Sequence, residues 1–270
     1  MLQMNGEVIP LKHFTDGTLD MRVEVPREYE TKRNSVITWR YENDVETLAL
    51  VFLTRHLQEH GVRDIDLVMP YIPNARMDRV KTDADVFTLK YFADLLNGLH
   101  FRSVRVLDPH SAVSEALIDR IVITNAKDNI LEAVRRINDN NLVLFFPDEG
   151  AMKRYSEMCD LPFAYGEKDR DWDTREIRGL TVCGDVARIA GKSVLMVDDI
   201  CSSGRTLHYA AKKLKELGAG KIYLYVSHCE NIVTESELLH SEMVERVFTT
   251  RSFLKLDHPK FEILETYTEE

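Results

Sequence analysis

Short apolar runs alternate with stretches of helical spacing along most of this chain. The short runs are typical of strands buried on both faces of a parallel sheet, and they predict strands at residues 65–69, 104–107, 121–123, 142–146, 194–197 and 222–226. Apolar residues that recur every three or four positions predict helices at residues 44–59, 87–96, 130–137 and 206–217. This alternation predicts an α/β fold with mainly parallel sheets flanked by helices.

The two ends of the chain carry weaker patterns. Residues 19–25 alternate between apolar and polar and residues 35–39 are β-prone, so the first 41 residues are expected to be rich in strands. Residues 261–267 are a candidate strand that packs back on either half. We expect one domain over residues 1–123 and a second over residues 124–270. The spacing of the first helix is carried by Val45, Leu48, Val51 and Phe52.

Composition and charge narrow the class of protein. The 270 residues are 44% hydrophobic and 30% charged, with no run as long as a membrane span and no signal-peptide pattern at the start. The net charge of −10 argues against a nucleic-acid binder, which needs clustered cations. No Cys-x-x-Cys pair occurs, so we expect reduced thiols and a cytoplasmic protein; the four cysteines are Cys159, Cys183, Cys201 and Cys229.

The stretch at residues 194–207 has the clearest chemical pattern. A buried strand is followed by the adjacent carboxylates of Asp198 and Asp199, and then by a short loop that opens a helix. Gly204 lets the backbone approach a ligand, and free N–H groups at a helix start bind phosphate. The two carboxylates then suit sugar hydroxyls or a metal ion. The stretch predicts a sugar-phosphate site with a divalent cation nearby, with hydroxyls from Ser202, Ser203 and Thr206; the alternative is an ordinary turn with a solvated acid pair.

Other strand ends carry polar residues, and ligands of parallel sheets lie at such ends. Residues 70–79 hold two prolines and two arginines, whose planar guanidinium groups suit phosphate oxygens; a rigid surface loop is the alternative. The remaining candidates are Asp108, His110, Asp148, Ser227 and His228. Alone, His110 could be structural, and Asp148 could simply cap a helix. The charge run at residues 166–173 is either a solvated loop or a mobile lid over transferring phosphates.

Taken together, these segments resemble those of the ribose-phosphate pyrophosphokinase (PRPP synthetase) family, in the same order. Residues 14–17 resemble Phe-x-Asp-Gly-Glu, with Thr18 in place of the Glu, and residues 70–79 resemble Pro-Tyr-x-x-Tyr-Ala-Arg-Gln-Asp-Arg, with Asn74 and Met77 as departures. Residues 108–110 resemble Asp-Leu-His, residues 147–154 resemble Pro-Asp-x-Gly-x-x-Lys-Arg, and residues 168–170 resemble the Lys-x-Arg of a catalytic loop. The resemblance implies two domains of the type I phosphoribosyltransferase fold.

The resemblance also implies a reaction, in which the β,γ-pyrophosphoryl group of Mg-ATP is transferred to the C1 hydroxyl of a 5-phosphorylated ribose. It implies the amino-terminal domain as the ATP side, Mg²⁺ as cofactor, and a homo-oligomer with the ATP site near a subunit interface. The implied catalytic residues are Lys168 and Arg170. The implied ATP contacts are Phe14, Asp16, Arg76, Asp78 and His110; His110 and Asp148 are the implied metal contacts; and the implied sugar-phosphate contacts are Asp198, Asp199, Ser202, Ser203, Gly204, Arg205 and Thr206.

One departure from the family's sequence bears on the acceptor, which is the phosphorylated ribose that receives the pyrophosphoryl group. Ser202 and Ser203 stand where the family has Asp-Thr, and Arg205 replaces a Gly. The exchange of a carboxylate for a cation makes the loop more favourable to negative charge. Ribose 5-phosphate, giving phosphoribosyl pyrophosphate and AMP, is the first expectation. ADP-ribose, giving ADP-ribose pyrophosphate for NAD synthesis as in a short, phage-type family member, is the alternative.

Two other functions stay open. A phosphoribosyltransferase shares the acid pair and the hydroxyl-bearing loop but consumes phosphoribosyl pyrophosphate, and it needs neither the segment at residues 70–79 nor a second α/β half. A non-catalytic relative would only bind and regulate true synthetases. The presence of Lys168, Arg170 and both loop aspartates argues against that second alternative.

Overall fold

The computed structural model describes residues 1–25, 34–170 and 177–264, apart from the side chains of residues 168–170, 177 and 178. Backbone contacts divide the chain into two compact units. The first unit comprises Met1–Thr124, and the second begins at Asn125. In the described part of the chain, no helix combines the length and apolar character that a membrane crossing requires.

The first unit contains a six-stranded sheet. Its order is β2-β1-β5-β6-β7-β8, where β1 is Leu2–Met4, β2 Glu7–Val8, β5 Asn34–Trp39, β6 Asp64–Val68, β7 Ser103–Leu107 and β8 Ile121–Thr124. Strands β5 to β8 are parallel to one another, and β1 pairs antiparallel with both β2 and β5. A separate hairpin joins β3 (Lys12–His13) to β4 (Leu19–Asp20).

Helices connect the parallel strands, as this sheet type requires. They are α1 (Val45–Glu59), α2 (Thr88–Asn97) and α3 (Val113–Leu117). The helix predicted at residues 44–59 is confirmed, but its core-facing side is not the one that carried the spacing. Val45, Leu48 and Phe52 are exposed, whereas the sheet is covered by Ala49, Leu50, Leu53 and Leu57. The helix is apolar on two sides, so periodicity alone could not choose between them.

The alternating segment at residues 19–25 was predicted as a strand, and this is wrong beyond Asp20. Residues 21–25 pair with no strand among the described residues. Their apolar side chains nevertheless turn inward, because Leu19, Met21, Val23 and Val25 pack against the core of the first unit. The alternation of apolar and polar residues therefore indicates which side chains are buried, but not whether the backbone pairs with another strand.

The second unit contains a seven-stranded sheet of order β11-β10-β9-β12-β13-β14-β15. The strands are β9 (Val143–Phe146), β10 (Phe163–Arg170), β11 (Ile177–Gly184), β12 (Val194–Cys201), β13 (Ile222–Cys229), β14 (Arg246–Thr249) and β15 (Phe261–Ile263). All neighbours are parallel except β10 and β11. With both sheets mainly parallel and flanked by helices, the predicted α/β class is confirmed.

Helices cover both faces of this second sheet: α4 (Lys127–Ile137), α5 (Glu149–Tyr155), α6 (Arg205–Glu216) and α7 (Glu237–His240). Side chains of β12 alternate between the two resulting cores. Val194 and Met196 pack with α6, whereas Leu195 and Val197 pack with α4 and α5. A run of four apolar residues is therefore what a doubly covered strand needs.

The order of this sheet reverses between β9 and β12, because the chain leaves β9 toward β10 on one side and returns to β12 on the other. Such a reversal leaves a crevice at the carboxyl ends of the two strands, where α/β proteins bind ligands. Asp148 lies just beyond the end of β9, and Asp198 and Asp199 lie near the end of β12.

Two predicted strand ends in this unit were placed too early. β12 continues through Asp198 and Asp199 to Cys201, and β13 continues through Ser227 and His228 to Cys229. Pairing between these two strands extends to Cys201 and Cys229, which sequence periodicity cannot detect in polar residues. Likewise, residues 166–170 were predicted as a loop, but they belong to β10 and pair antiparallel with β11. Residues 171–173 of that charge run lie outside the described residues.

Candidate functional site

The turn from β12 into α6, residues 202–206, is called the acceptor loop below. Gly204 is its pivot, with a left-handed φ of 70° that side chains other than glycine adopt at a cost. A Cβ at this position would also lie 3.1 Å from Leu238 Cδ2. The carbonyl of Gly204 accepts the first α6 hydrogen bond from His208 N at 2.8 Å, so the N–H groups before it remain directed out of the helix start.

The acid pair is divided between the two faces of β12. Asp199 lies on the face of α5, where Arg154 Nη1 donates to its Oδ2 at 3.0 Å. Its Oδ1 accepts from Ile200 N at 2.8 Å. The Asp199 side chain is only 10% exposed, so its charge needs these donors. The Asp199 carboxylate is therefore held in place by two hydrogen bonds.

Asp198 has a different electrostatic environment. Its Oδ1 accepts from Asp199 N at 3.0 Å. Burial, followed by the negative charges of Asp199 and Asp148, raises the pKa of Asp198 well above the ordinary value for an aspartate. A negative charge on Asp198 is thus disfavoured beside Asp199 and Asp148, so an added cation or a hydroxyl donor would stabilise it.

Asp148 caps α5: its Oδ1 accepts from Ala151 N at 3.0 Å. The helix-capping alternative for this residue is thus realised. No cluster of three or more ligating side chains occurs among the described residues. Magnesium commonly takes one or two carboxylates together with substrate phosphates and waters. Asp148 and Asp198, whose charges repel each other, fit that donor set.

The acceptor loop receives one further carboxylate from the neighbouring strand. Ser202 Oγ donates to Glu230 Oε2 at 2.7 Å, and Glu230 N donates to Cys201 O at 2.8 Å. Beyond the loop lies a cavity of about 600 Å³. It is lined by loop and α6 residues and by the segment before and within α7: Ser203, Gly204, Arg205, His208, Tyr209, Ile232, Glu235, Ser236, Glu237 and Leu238.

The predicted ATP-binding segments of the first unit lie at the ends of adjacent strands. Leu107 N donates to Pro70 O at 3.0 Å, and Ser111 Oγ donates to Asp78 Oδ2 at 2.8 Å. Burial of the Asp78 carboxyl raises its pKa, but the hydrogen bonds from Ser111 and Arg79 have the larger combined effect. The pKa of Asp78 therefore lies below its ordinary value. The two segments are therefore joined through buried Ser111.

Two backbone features mark the same edge of the first sheet. Asp108 has a left-handed φ of 39° directly after β7, and Asn74 has a φ of 66° in the turn after β6. Asp and Asn adopt this conformation more readily than most other side chains, and here they shape the turns that follow the two strands. Arg76 is exposed and His110 is half-buried, both beside these turns.

The predicted adenine contacts lie on the β3–β4 hairpin. Phe14 is 55% exposed at its tip. Asp16 Oδ1 accepts from Thr18 N at 3.0 Å and from Thr18 Oγ1 at 2.7 Å, which lowers the pKa of Asp16. Thr18, which replaces a Glu in the resemblance, thus holds the turn that presents Phe14.

Lys168 and Arg170 lie on the outer part of β10, where their backbones pair with β11. Their side chains lie outside the described residues. Arg154 and Glu230 were not assigned as site residues from sequence. The position of Arg154 one residue after Lys153 in the segment at residues 147–154 gave a weak indication, whereas Glu230 gave none, because its role depends on the pairing of β12 with β13.

Residues 115–263 match the sequence profile of the phosphoribosyl transferase domain. Over 232 residues the chain is 30% identical to a ribose-phosphate pyrophosphokinase of Pyrococcus abyssi, covering 82% of this chain and 75% of that one. The enzyme of the same name from Thermococcus kodakarensis is 29% identical over 82% of this chain and 77% of its own.

The fold has a solved counterpart. The crystal structure of phosphoribosylpyrophosphate synthetase from Mycobacterium smegmatis superposes with a TM-score of 0.77, covering 95% of this chain and 85% of that chain, at 18% identity. That likeness concerns the fold alone. With an acid pair, a glycine-pivoted loop and a sequence match over most of the chain, this protein belongs to the ribose-phosphate pyrophosphokinase family of transferases.

Proposed function

We propose that this enzyme transfers the β,γ-pyrophosphoryl group of ATP to the C1 hydroxyl of ribose 5-phosphate, giving phosphoribosyl pyrophosphate and AMP. The observation that carries the proposal is the crevice between β9 and β12, where Asp148, Asp198 and Asp199 lie beside the acceptor loop. Carboxylates next to a phosphate-binding turn match the two ends of a sugar phosphate.

In this reaction the C1 oxygen forms a bond to the β-phosphorus, and the bond from that phosphorus to the oxygen of the α-phosphate breaks. AMP leaves with that oxygen, and the hydroxyl proton is released. Such chemistry depends mostly on positioning and charge neutralisation. Asp198 and Asp199 would position the ribose hydroxyls. Ser203, Gly204, Arg205 and Thr206 would hold the 5-phosphate through backbone N–H groups, hydroxyls and one cation.

The residues that contact ATP would come from the first unit. Arg76 and His110 would contact its phosphates, with Asp78 holding the segment in place through Ser111. Lys168 and Arg170, by resemblance, would close over the transferring group. By resemblance, His110 of the first unit and Asp148 of the second are each assigned a Mg²⁺ contact, and Mg²⁺ when bound supplies neutralisation of the phosphate charge.

A second acceptor, ADP-ribose, is supported by the cavity beyond the acceptor loop. An ADP-ribose phosphate carries a further nucleotide, and a cavity of about 600 Å³ is large enough for such a group. Arg205 would meet its phosphates, while Tyr209 and Ile232 offer apolar surface for a base. The product would be ADP-ribose pyrophosphate, a precursor for NAD synthesis.

We extend the proposal to self-association. The exposed face of α1, made of Val45, Leu48 and Phe52, is apolar over two turns, and exposed apolar patches commonly mark contact surfaces. Phe14 on its exposed hairpin would then contact ATP bound near the subunit interface. Light scattering of the wild type and of a Phe52→Glu variant tests the interface. Equal molar masses for the two proteins would reject it.

The four free cysteines support a reducing, cytoplasmic setting.

One experiment separates the candidate functions. The protein is mixed with ATP, Mg²⁺ and either ribose 5-phosphate or ADP-ribose, and products are identified by mass. AMP together with a pyrophosphorylated sugar supports the proposal and names the acceptor. Consumption of phosphoribosyl pyrophosphate with a base would instead show a phosphoribosyltransferase. No AMP with either acceptor would support a non-catalytic, regulatory relative.

A further inference from the structure

Glu230 stands outside the acceptor loop in sequence but is joined to it in space. It follows β13, 28 residues after Ser202, and its Oε2 accepts the Ser202 hydroxyl proton at 2.7 Å. Its own N–H donates to Cys201 O at 2.8 Å, directly before the loop. The half-buried Glu230 carboxylate is therefore fixed against the loop at both its backbone and its side chain.

The hydrogen bond decides what Ser202 can offer a ligand. A serine hydroxyl has one proton to donate and two lone pairs to accept with. Because the proton is directed to Glu230, Ser202 faces a ligand as an acceptor. A phosphate oxygen needs donors and is repelled by a carboxylate, whereas a sugar hydroxyl is itself a donor.

We propose that Glu230 is a specificity-determining positioning residue, which turns Ser202 from a phosphate donor into an acceptor for a hydroxyl of the acceptor's ribose. The 5-phosphate is then left to Ser203, Arg205, Thr206 and the backbone N–H groups at the start of α6. This inference rests on the proposed function, because it assigns the parts of a sugar phosphate to parts of the loop. It divides a loop of uniform appearance in sequence into a sugar end and a phosphate end.

Binding of inorganic phosphate, measured by calorimetry, tests the phosphate side without catalysis. Glu230→Ala frees the Ser202 proton and removes a negative charge, so phosphate should bind about three- to tenfold more tightly than to wild type. Ser202→Ala keeps the carboxylate and removes the donor that partly neutralises it, so phosphate should bind more weakly. Glu235→Ala removes an exposed carboxylate that lines the neighbouring cavity, and should change phosphate affinity less than about twofold.

Deoxy substrates test the sugar side. KM is compared for ribose 5-phosphate and for its 2-deoxy and 3-deoxy analogues. The wild-type KM should be higher for both deoxy analogues than for ribose 5-phosphate. In Glu230→Ala, the ratio of the KM for one analogue to the KM for ribose 5-phosphate should fall about tenfold, while the KM for ATP stays unchanged. A residue that only stiffened the loop would weaken phosphate and sugar binding together.

The inference is overturned if phosphate affinity in Glu230→Ala is unchanged or lower. It is equally overturned if that variant, with a wild-type melting temperature, discriminates against both deoxy analogues as strongly as wild type. A wild-type protein that neither binds phosphate nor forms AMP would instead overturn the proposed function, so the two failures are distinguishable.

Discussion

Arg154 on α5 donates to Asp199 on β12 across 3.0 Å, and this pair joins β12 to the helix that follows β9. Arg154 lies on the helix that Asp148 caps, directly after β9. One guanidinium thus neutralises the inner carboxylate of a group that also contains Asp148 and Asp198.

Replacement of Arg154 tests this relationship. Arg154→Ala removes the donor to a carboxylate that is 10% exposed, and should lower the free energy of unfolding by about 1.5–3 kcal/mol, as for hydrogen bonds to charged groups. Urea denaturation measures the loss. The control is Lys153→Ala on the same helix, whose partner Glu149 is 54% exposed, with an expected change within about 0.5 kcal/mol. Equal losses in the two variants would contradict the assigned role.

Asp198 should lower the stability of the folded protein at neutral pH, although the proposed reaction requires it. Its pKa is raised in the folded protein, so its favourable contribution is present at low pH and is lost as pH rises through that pKa. In a chelating buffer at pH 8, Asp198→Asn should therefore raise the melting temperature by about 2–4 °C and lower AMP formation. The exposed Asp160→Asn is the control. A melting temperature for Asp198→Asn below that of wild type would count against the repulsion.

Ser111 should hold the two segments at the edge of the first sheet. Ser111→Ala removes the donor to Asp78, and should lower the free energy of unfolding by about 1 kcal/mol at pH 7 and raise the KM for ATP. Since the pKa of Asp78 is lowered, the contribution exists above its ordinary value and is lost as pH falls through the folded value. The stability difference should therefore shrink in acid. Thr18→Ala, which removes an exposed hydroxyl-to-carboxylate bond, is the control for stability alone and should change the free energy of unfolding by less than about 0.5 kcal/mol.

Lys168 should matter for turnover rather than for binding. By its resemblance to the catalytic Lys-x-Arg, Lys168→Ala should reduce the rate of AMP formation by orders of magnitude, because it removes a cation from the transferring phosphates. ATP binding, measured by equilibrium titration, should survive. Lys192→Ala is a control on the same unit, where the exposed ammonium contacts Asn141. A Lys168→Ala variant with wild-type turnover would remove Lys168 from the mechanism.

The strand and helix order was predictable because each element carries its own apolar period. The parallel strands β6, β7, β9 and β12 were found as short apolar runs, and α1, α2, α4 and α6 as helical spacing. The prediction of strand ends failed where a strand continues through polar residues, because no apolar period marks them. The carboxyl ends of β12 and β13 are polar yet paired, and only hydrogen bonds to a neighbouring strand keep them extended.

The candidate site divides in the same way. Asp198, Asp199, Gly204 and the loop hydroxyls could be named from sequence, because a strand, an acid pair and a helix start are adjacent along the chain. Their partners could not. Arg154 reaches Asp199 from a position 45 residues earlier, and Glu230 reaches Ser202 from a position 28 residues later.

The sequence by itself determined the α/β class, the acid pair and the glycine-pivoted loop, since these follow from local period and local chemistry. Only the tertiary structure decided which face of α1 is buried and which carboxylate Arg154 neutralises. It also decided that the Ser202 proton belongs to Glu230. Each of these depends on which strands become neighbours, and strand order is set by the packing of the whole sheet rather than by any one segment.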